Sequence, residues 1–489
     1  MRRRPVWLAA LALLTLLRLL VAGSSPLSPD EAYYWTWSHA LATGYLDHPP
    51  MTALWIRAGT LLCGDTALGA RLLSPLSAGL GSLLLAAACM DLLDGPLELR
   101  RRRALAAVVL LNATLLLGVG AVTITPDTPL LFFWTAALAA LGRLIATRRG
   151  AWWLAAGVAI GLALDSKYTV VLPGGGLALW LIATREGRLW LHTPWPWSAA
   201  LVALLLFTPV LSWNAWHGWA SFLKQGGRTG DWHPLHAVRY LGELLGGQVG
   251  LATPFIFILF VRGMARIARN PVSGPPGRSL LIFVTLPAAL VFVQHALGDR
   301  VQANWPGLLY PACAIAAASL DWRWKAPAVF GLLLTLLVYA QSVAAPFPLP
   351  RALDVTLVRL AGWQALATEV AARAAADGDG MILADEYGLG SELAFALPGR
   401  AIVAVEPRWG LFALPHPDLS GRSLLLLRTA RRRDPPDRRL FSDSVPIGEL
   451  RRGRSGHVAE TYRLYRVTVR ADLPETLRDE FVRLPSPGR

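Results

Sequence analysis

One carboxylate in the N-terminal part of the sequence, Asp30, lies where it could take a proton from a substrate. It belongs to the stretch Ser-Pro-Asp-Glu-Ala-Tyr-Tyr-Trp at residues 28–35. Ser28 suits a helix N-cap, proline suits the first helical position, and Glu31 completes a capping box. This helix start accounts for Ser28 and Glu31, whereas Asp30 gains only a favourable place near a helix N-terminus. Asp30 is therefore either a helix-end charge or a general base for an acceptor hydroxyl or amine.

A second polar motif follows, because residues 44–51 are Gly-Tyr-Leu-Asp-His-Pro-Pro-Met. Two prolines restrict the backbone directly after Asp47 and His48, which presents these side chains rigidly. One interpretation is a turn that Asp47 stabilises ahead of another surface helix. The other is a substrate contact made by His48, and the sequence favours neither.

Asp127 lies in a short link, Thr-Ile-Thr-Pro-Asp-Thr-Pro at residues 123–129, between two apolar runs. If those runs cross a membrane, this carboxylate must lie near the edge of the bilayer. Threonine, aspartate and proline are all common at helix starts, so a helix cap is the alternative. A carboxylate at that depth is costly, and the cost favours a functional role.

Two cations lie in equally short links between apolar runs, Lys167 and Arg300. Lysine and arginine both bind phosphate groups, so these side chains could neutralise a phosphate at headgroup depth. Pairing with Asp165 or Asp299, which are close in sequence, is the alternative. Arg71, at the start of another apolar run, is a third candidate for the same task.

The apolar runs that surround these residues predict a membrane protein. Of 489 residues, 54% are hydrophobic and only 16% are charged, whereas soluble domains are about a quarter charged. About eleven runs approach the length that crosses a hydrocarbon core of about 30 Å. The predicted spans are 6–22, 67–90, 104–121, 129–146, 151–165, 168–184, 198–213, 247–263, 279–297, 305–320 and 326–345.

The formal net charge of +15 comes largely from arginines in short loops. Such clusters mark cytoplasmic loops, and with this number of spans they all fall on the side of the N-terminus. We therefore expect a cytoplasmic N-terminus, an external C-terminus and no nucleic-acid partner. The main clusters are Arg2–Arg3–Arg4, Arg100 to Arg103, Arg148–Arg149, Arg262 to Arg278 and the segment 322–325.

The composition changes near residue 346, where prolines end the last apolar run. Short apolar segments at 381–384, 401–405, 424–427 and 462–469 predict strands, and 353–376 predicts an alanine-rich helix. We expect a mainly α, polytopic membrane domain over 1–345 with an external loop at 23–66. Residues 346–489 would then form a soluble α/β domain outside the membrane.

Six motifs resemble those of bacterial GT-C membrane glycosyltransferases, in the branch of the protein O-mannosyltransferases and the lipid A aminoarabinose transferase. The resemblance covers most of residues 1–345. The motifs are Pro-Asp-Glu-Ala-Tyr-Tyr-Trp at 29–35, the 44–51 motif, Gly-Asp-Thr-Ala-Leu-Gly-Ala-Arg at 64–71, Thr-Pro-Asp-Thr-Pro-Leu at 125–130, Ser-Lys-Tyr-Thr at 166–169 and Gln-Ala-Asn-Trp-Pro at 302–306.

This resemblance implies an inverting transfer of a sugar from a polyprenyl-phosphate donor at the periplasmic face of the bacterial inner membrane. The acceptor would be lipid A, another envelope glycan or a protein. By resemblance, Asp30 activates the acceptor with Glu31 as its partner, and Asp127 is the second acidic residue. Lys167 and Arg300 would bind the lipid phosphate. Further expected substrate contacts are Tyr33, Tyr34, Asp47, His48, Arg71, Tyr168, Gln302 and Asn304.

No cofactor is certain from the sequence. The cysteines, Cys63, Cys89 and Cys313, have no metal-ligand spacing and lie in or beside apolar runs. The resemblance provides no counterpart to the zinc ligands of the lipid A enzyme. A divalent metal therefore stays possible, with unknown ligands.

A transporter or flippase of a lipid-linked sugar is the alternative function. Transporters often contain internal repeats of spans and broken helices near the midplane of the membrane. This sequence shows no such repeat, and its polar residues concentrate on one side of the membrane. The enzyme is therefore the favoured interpretation.

Overall fold

The computed structural model describes residues 6–226, 234–269, 272, 274–321, 323–376, 378 and 380–487. Arg2–Arg3–Arg4 and Trp322, both used to predict the cytoplasmic side, lie outside the described residues. The helices are α1 Val6–Ser24, α2 Pro29–His39, α3 Met51–Cys63, α4 Ala67–Arg71, α5 Leu73–Leu92, α6 Leu97–Asn112, α7 Leu115–Gly120, α8 Asp127–Thr147, α9 Trp152–Leu164, α10 Val171–Ala183, α11 Arg185–Leu191, α12 Trp195–Trp216, α13 Ala220–Gly226, α14 Ala237–Ala252, α15 Pro254–Ile267, α16 Pro276–Ala296, α17 Tyr310–Ala318, α18 Lys325–Val343, α19 Val355–Leu360, α20 Trp363–Ala376, α21 Tyr387–Ala396 and α22 Glu475–Arg478. The strands are β1 Met381–Ala384, β2 Ala401–Val405, β3 Ser423–Thr429, β4 Phe441–Arg454, β5 His457–Val469 and β6 Phe481–Arg483.

Six helices among the described residues are long and apolar enough to cross a membrane. They are α1, α4 continued by α5, α8, α12, α16 and α18. A seventh crossing is possible if α14 and α15, which meet at a bend of 104°, count as one span. The mainly helical, membrane-spanning class is thus confirmed, but with six or seven such helices where the sequence predicted about eleven spans. The other predicted spans correspond to shorter helices: α6 with α7, α9, α10 and α17.

The bend between α14 and α15 has a local cause in the backbone. Thr253 adopts a positive φ of 66°, a conformation that ends a right-handed helix. Pro254 then begins α15, where its missing N–H is tolerated. The predicted span 247–263 is therefore broken near its middle.

The chain divides into two compact units. The helical unit contains residues 1–20, 43–52 and 73–338, and the sheet unit contains 21–42, 53–72 and 339–489. The predicted division into 1–345 and 346–489 stays a prediction.

Helices of the helical unit approach each other closely at small residues. A Cβ atom on Gly176 of α10 would lie 2.1 Å from the carbonyl oxygen of Phe283 in α16. A Cβ atom on Gly157 of α9 would lie 2.5 Å from the carbonyl oxygen of Ala199 in α12. Such small-residue contacts are typical of helix packing in membranes.

The sheet unit contains one six-stranded mixed sheet, in the order β4-β5-β3-β1-β2-β6. The three central strands are parallel, with Leu383 beside Val403 on one side and Leu426 on the other. Strands β5, β4 and β6 add in antiparallel register. The four predicted strands and the C-terminal sheet domain are confirmed. Helix α21 connects β1 to β2 and packs against α2.

Candidate functional site

Asp127, Lys167 and Asn304 meet in the helical unit. The ammonium group of Lys167 donates to both carboxylate oxygens of Asp127, at 2.7 and 2.9 Å. The side-chain amide of Asn304 donates to Oδ2 of Asp127 at 2.6 Å. Three predicted site residues that are far apart in the sequence therefore form one hydrogen-bonded cluster.

The position of each member follows from a helix end. Asp127 is the first residue of α8, Lys167 follows the end of α9, and Asn304 precedes a 3₁₀ helix at Trp305–Leu309. The Lys167 side chain is only 6% exposed, and a buried ammonium requires a charged partner. That partner is Asp127 and not Asp165, the alternative that is close in sequence.

The Lys167 ammonium can still bind a ligand. It carries three N–H donors, and among the described residues its hydrogen bonds go to Asp127 alone. One donor therefore remains for an anion. Because ammonium and carboxylate cancel each other's charge, a phosphate would compete with Asp127 for this cation.

A cavity of about 230 Å³ has Asp127 and Asn304 in its wall. Apolar side chains of α5 to α8 form most of the remaining wall, together with a few hydroxyl groups. The carboxylate of Asp127 in this wall carries the Lys167 ammonium, so the apolar wall lies beside an ion pair. Such a combination suits an amphipathic ligand. The apolar wall includes Leu111, Leu117, Leu130, Leu131, Phe132 and Leu308.

A second polar cluster in the helical unit is organised by α13. The ammonium group of Lys224 forms an ion pair with Asp47, and the amide of Gln225 donates to the Asp47 carbonyl at 2.6 Å. The hydroxyls of Ser221 and Tyr168 are 2.9 Å apart. Helix α13 therefore contacts two predicted site residues, Asp47 and Tyr168.

Lys224 was missed by the sequence analysis, although a signal for it existed. The chain contains only three lysines, Lys167, Lys224 and Lys325, among 47 basic residues. Two of these three pair with aspartates of the predicted site. The rarity of lysine in an arginine-rich chain could have singled out Lys224.

The loop at 44–51 forms the turn that one interpretation predicted. The N–H of Tyr45 donates to the carbonyl of His48 at 3.2 Å, and the N–H of Met51 donates to the carbonyl of Asp165 at 2.9 Å. A Cβ atom on Gly44 would lie 2.9 Å from the Trp213 ring, so this position requires glycine. The substrate contact of the His48 ring stays a prediction.

Arg300 and Gln302 bond to residues that are not part of the Asp127 cluster. The Arg300 guanidinium pairs with Glu243 through two hydrogen bonds, of 2.5 and 2.9 Å, and not with the predicted Asp299. Gln302 is exposed, and its carbonyl accepts the N–H of Trp305. Arg300 thus braces α14 through Glu243, and its contact with the lipid phosphate stays a prediction.

Glu31 and Arg71 form a buried ion pair in the sheet unit. Glu31 accepts two hydrogen bonds from the Arg71 guanidinium and one from the N–H of Ser28, which is the predicted capping box. The remaining Arg71 donors go to Ser25 and to the carbonyls of Ala22 and Pro26. Because every donor of this fully buried guanidinium is used, we place Glu31 and Arg71 in the support of α2. The catalytic role of Glu31 and the substrate contact of Arg71 stay predictions.

Asp30 lies one residue before Glu31 on α2 and is partly exposed. It forms an ion pair with Arg359 of α19, and its Oδ1 accepts a hydrogen bond of 3.2 Å from the hydroxyl of Tyr387. The Tyr33 ring packs against Tyr387 at 4.6 Å between centroids. No local pattern in the sequence links Arg359 or Tyr387 to Asp30, because both are more than 300 residues away from it.

Tyr34 faces other aromatic residues of its helix. Its ring lies 4.9 Å from that of Trp37 and 6.0 Å from that of Tyr33, between centroids. Tyr34 is partly exposed, whereas Tyr33 is buried. Only Tyr34 of this pair therefore offers an accessible ring for a sugar.

The described residues contain no group of three or more His, Cys, Asp or Glu side chains that could hold a metal ion. The carboxylates of Asp30, Asp47 and Asp127 each have a cationic partner instead. A divalent metal with unknown ligands stays a prediction.

Comparison with known proteins places this geometry in context. Residues 47–213 match the family described as dolichyl-phosphate-mannose-protein mannosyltransferase. Over 426 residues the chain is 30% identical to the lipid A galacturonosyltransferase RgtD of Rhizobium johnstonii, covering 81% of this chain and 85% of that protein.

Two further relatives are more distant. The chain is 27% identical over 286 residues to undecaprenyl phosphate-alpha-4-amino-4-deoxy-L-arabinose arabinosyl transferase 1 of Sodalis glossinidius, covering 54% of this chain and 48% of that protein. The crystal structure of ArnT from Cupriavidus metallidurans bound to undecaprenyl phosphate superposes with a TM-score of 0.51 at 18% identity, covering 80% of this chain and 75% of that one. The likeness to this crystal structure shows a shared fold.

Proposed function

Because the chain belongs to the GT-C group of membrane glycosyltransferases, we propose that it transfers a sugar from a polyprenyl-phosphate donor to an acceptor of the cell envelope. Lipid A is the favoured acceptor, since the relative that matches most of the chain is named for it. The donor class follows from the relatives named for undecaprenyl phosphate. These names support transfer and not a flippase.

The observation that carries this proposal is the cavity whose wall includes Asp127 and Asn304. The apolar wall provides a packing surface for a prenyl chain; the contribution comes from close contact and not from removal from water, because lipid tails are equally apolar. The phosphate would then approach the Lys167 ammonium, which lies on Asp127. Arg300, the other cation predicted to bind the phosphate, pairs with Glu243.

The proposed reaction forms a bond between an acceptor oxygen or nitrogen and the anomeric carbon of the sugar. The bond from that carbon to the donor's phosphate oxygen breaks, and polyprenyl phosphate leaves. Negative charge grows on the phosphate, where the buried Lys167 ammonium stabilises it more strongly than water would. Asp127 holds the Lys167 ammonium in position, and Asn304 holds the Asp127 carboxylate. Asp30 accepts the proton that the acceptor loses.

We assign the reaction to the periplasmic side of the bacterial inner membrane. The support is the arginine content of the opposite loops, such as Arg100 to Arg103 and Arg148–Arg149. On this topology the N-terminus is cytoplasmic and the C-terminal segment is periplasmic.

Mass spectrometry of envelope lipids and glycans, with and without the gene, tests this function. We expect one class of molecule, lipid A first, to lose the mass of a single sugar when the gene is deleted. Unchanged lipid A, glycans and glycoproteins in the deletion strain would contradict the proposal. The flippase would be favoured if the protein moves the donor across proteoliposome membranes in the absence of acceptor and forms no product when acceptor is added.

A further inference from the structure

Both oxygens of the Asp30 carboxylate are held by residues from the C-terminal part of the chain. Arg359 of α19 forms an ion pair with Oδ2, and the Tyr387 hydroxyl donates to Oδ1 at 3.2 Å. Two bonds leave lone pairs on the carboxylate, since it can accept about four hydrogen bonds. Asp30 is therefore oriented without being saturated.

Tyr387 is itself fixed by two charged residues. Its backbone N–H donates to Oε2 of Glu406 at 3.1 Å, and the Arg408 guanidinium lies 4.1 Å from the centroid of its ring. Arg408 also pairs with Oε1 of Glu406, at 2.9 Å. A cation over an aromatic face is an attractive contact. Arg408 therefore holds one face of the Tyr387 ring, and Glu406 holds the backbone of the same residue.

Packing between α2 and α21 fixes the backbone of Asp30. The Tyr33 and Tyr387 rings are 4.6 Å apart, and the rings of Trp35 and Phe395 are 5.2 Å apart. Between these contacts lies a buried hydrogen bond of 3.2 Å from the Thr36 hydroxyl to the Ser391 hydroxyl. The helix that carries Asp30 is thus packed along its length on the helix that begins at Tyr387.

We propose that Tyr387 and Arg359 are positioning residues for Asp30, so that the C-terminal segment takes part in sugar transfer. This proposal rests on the proposed function, in which Asp30 accepts the proton of the acceptor. A short carboxylate side chain samples several rotamers when it is unrestrained. The hydroxyl and the guanidinium select one of them, and a base must be within hydrogen-bond reach of the proton that it accepts.

The test uses purified full-length enzyme and compares Tyr387→Phe with Arg359→Ala and Arg359→Lys. We expect Tyr387→Phe and Arg359→Ala to lower kcat by about 10- to 100-fold, because misplacement of a reacting group by about 1 Å has effects of that size. The KM for the donor should stay unchanged, because Asp30 acts on the acceptor. Arg359→Lys should recover part of kcat, because it restores a cation beside Oδ2.

Two matched variants control for the substitutions themselves. Tyr465→Phe removes a hydroxyl from β5, and Arg373→Ala removes an exposed guanidinium from α20. Both should keep the kcat of the unmodified enzyme. In an Asp30→Asn background, Tyr387→Phe should cause no further loss, because the residue through which it acts is already disabled.

The outcomes separate this proposal from the proposed function. If the unmodified enzyme makes product and both Tyr387→Phe and Arg359→Ala keep kcat within about twofold, the positioning roles are overturned and the transferase stands. Full additivity of Tyr387→Phe with Asp30→Asn would also overturn them, since a purely structural residue gives that result. If the unmodified enzyme makes no product with any acceptor, the proposed function itself fails.

Discussion

The Lys167 ammonium donates to both carboxylate oxygens of Asp127, at 2.7 and 2.9 Å, although 40 positions separate the two residues in the chain. The pair is neutral as a whole, which lowers the cost of holding two charges in a largely buried place. An incoming phosphate can take the ammonium from Asp127 without adding a new cation. Under the proposed function, the ammonium of this pair is the cation that meets the leaving phosphate.

Lys167→Met should reduce transfer by about 100- to 1,000-fold, as loss of one group that stabilises developing negative charge does in other enzymes. Lys167→Arg should retain intermediate activity, because the charge remains while its geometry changes. Steady-state kinetics with a polyprenyl-phosphate sugar measures both. Lys325→Met, at an exposed lysine that begins α18, is the matched control and should be fully active. Equal activity of Lys167→Met and Lys325→Met would remove Lys167 from the mechanism.

Leu131→Trp should weaken donor binding, because it adds bulk to the apolar wall of the cavity. Overpacking of a filled site costs about 1–3 kcal/mol, so we expect the donor KM to rise by about tenfold. The control is Leu205→Trp, at an exposed position of α12 outside the cavity wall. An unchanged donor KM in a folded Leu131→Trp enzyme would place the prenyl chain elsewhere.

Arg71→Met should destabilise the protein by about 3–5 kcal/mol, because it leaves the Glu31 carboxylate buried without its cation. The double variant Glu31→Gln/Arg71→Met should recover part of that loss, since no charge is then left unpaired. Melting temperatures in detergent rank the stabilities of the unmodified protein, the Arg71→Met variant and the double variant. Arg101→Met, which breaks an exposed pair with Glu98, should change the free energy of unfolding by less than about 1 kcal/mol. Equal effects of Arg71→Met and Arg101→Met on the free energy of unfolding would contradict the role of Arg71 in supporting α2.

Glu392 of α21 should make the protein less stable as the pH rises. Burial raises the pKa of this carboxyl well above its ordinary value of 4.5, and Arg452 only partly opposes the shift. A raised pKa means that the folded chain binds the proton more tightly than the unfolded chain. The free energy of unfolding therefore falls as the pH rises above the ordinary pKa of glutamate.

Glu392→Gln cannot ionise and should lose this pH dependence. Its melting temperature should exceed that of the unmodified protein at about pH 8, and the difference should shrink towards about pH 5. Glu475→Gln, at an exposed position of α22, should follow the unmodified protein at every pH. Identical pH slopes for Glu392→Gln and the unmodified protein would show that Glu392 is not the group responsible.

Local sequence signals predicted local structure well. The capping box of Ser28 and Glu31 forms as expected, because it depends on residues three positions apart. The central strands β1, β2 and β3 were predicted because buried parallel strands are continuous apolar runs. The predicted helix at 353–376 is instead broken into α19 and α20 at Gly362, whose φ is 79°.

Contacts between distant segments were beyond the sequence. Sequence proximity makes Asp165 the alternative partner of Lys167, whereas folding brings Asp127 to the ammonium group. Arg359 and Tyr387 reach Asp30 only because α2 packs on α21. Apolar runs likewise do not reveal a break such as the one at Thr253.

Transfer by the purified protein tests the central claim most directly. The enzyme is incubated with a polyprenyl-phosphate sugar and lipid A, and products are identified by mass spectrometry beside an Asp127→Asn variant of equal folded yield. We predict lipid A that is heavier by one sugar, release of polyprenyl phosphate, and loss of both with Asp127→Asn. Product formation at the same rate by the Asp127→Asn variant would contradict the account.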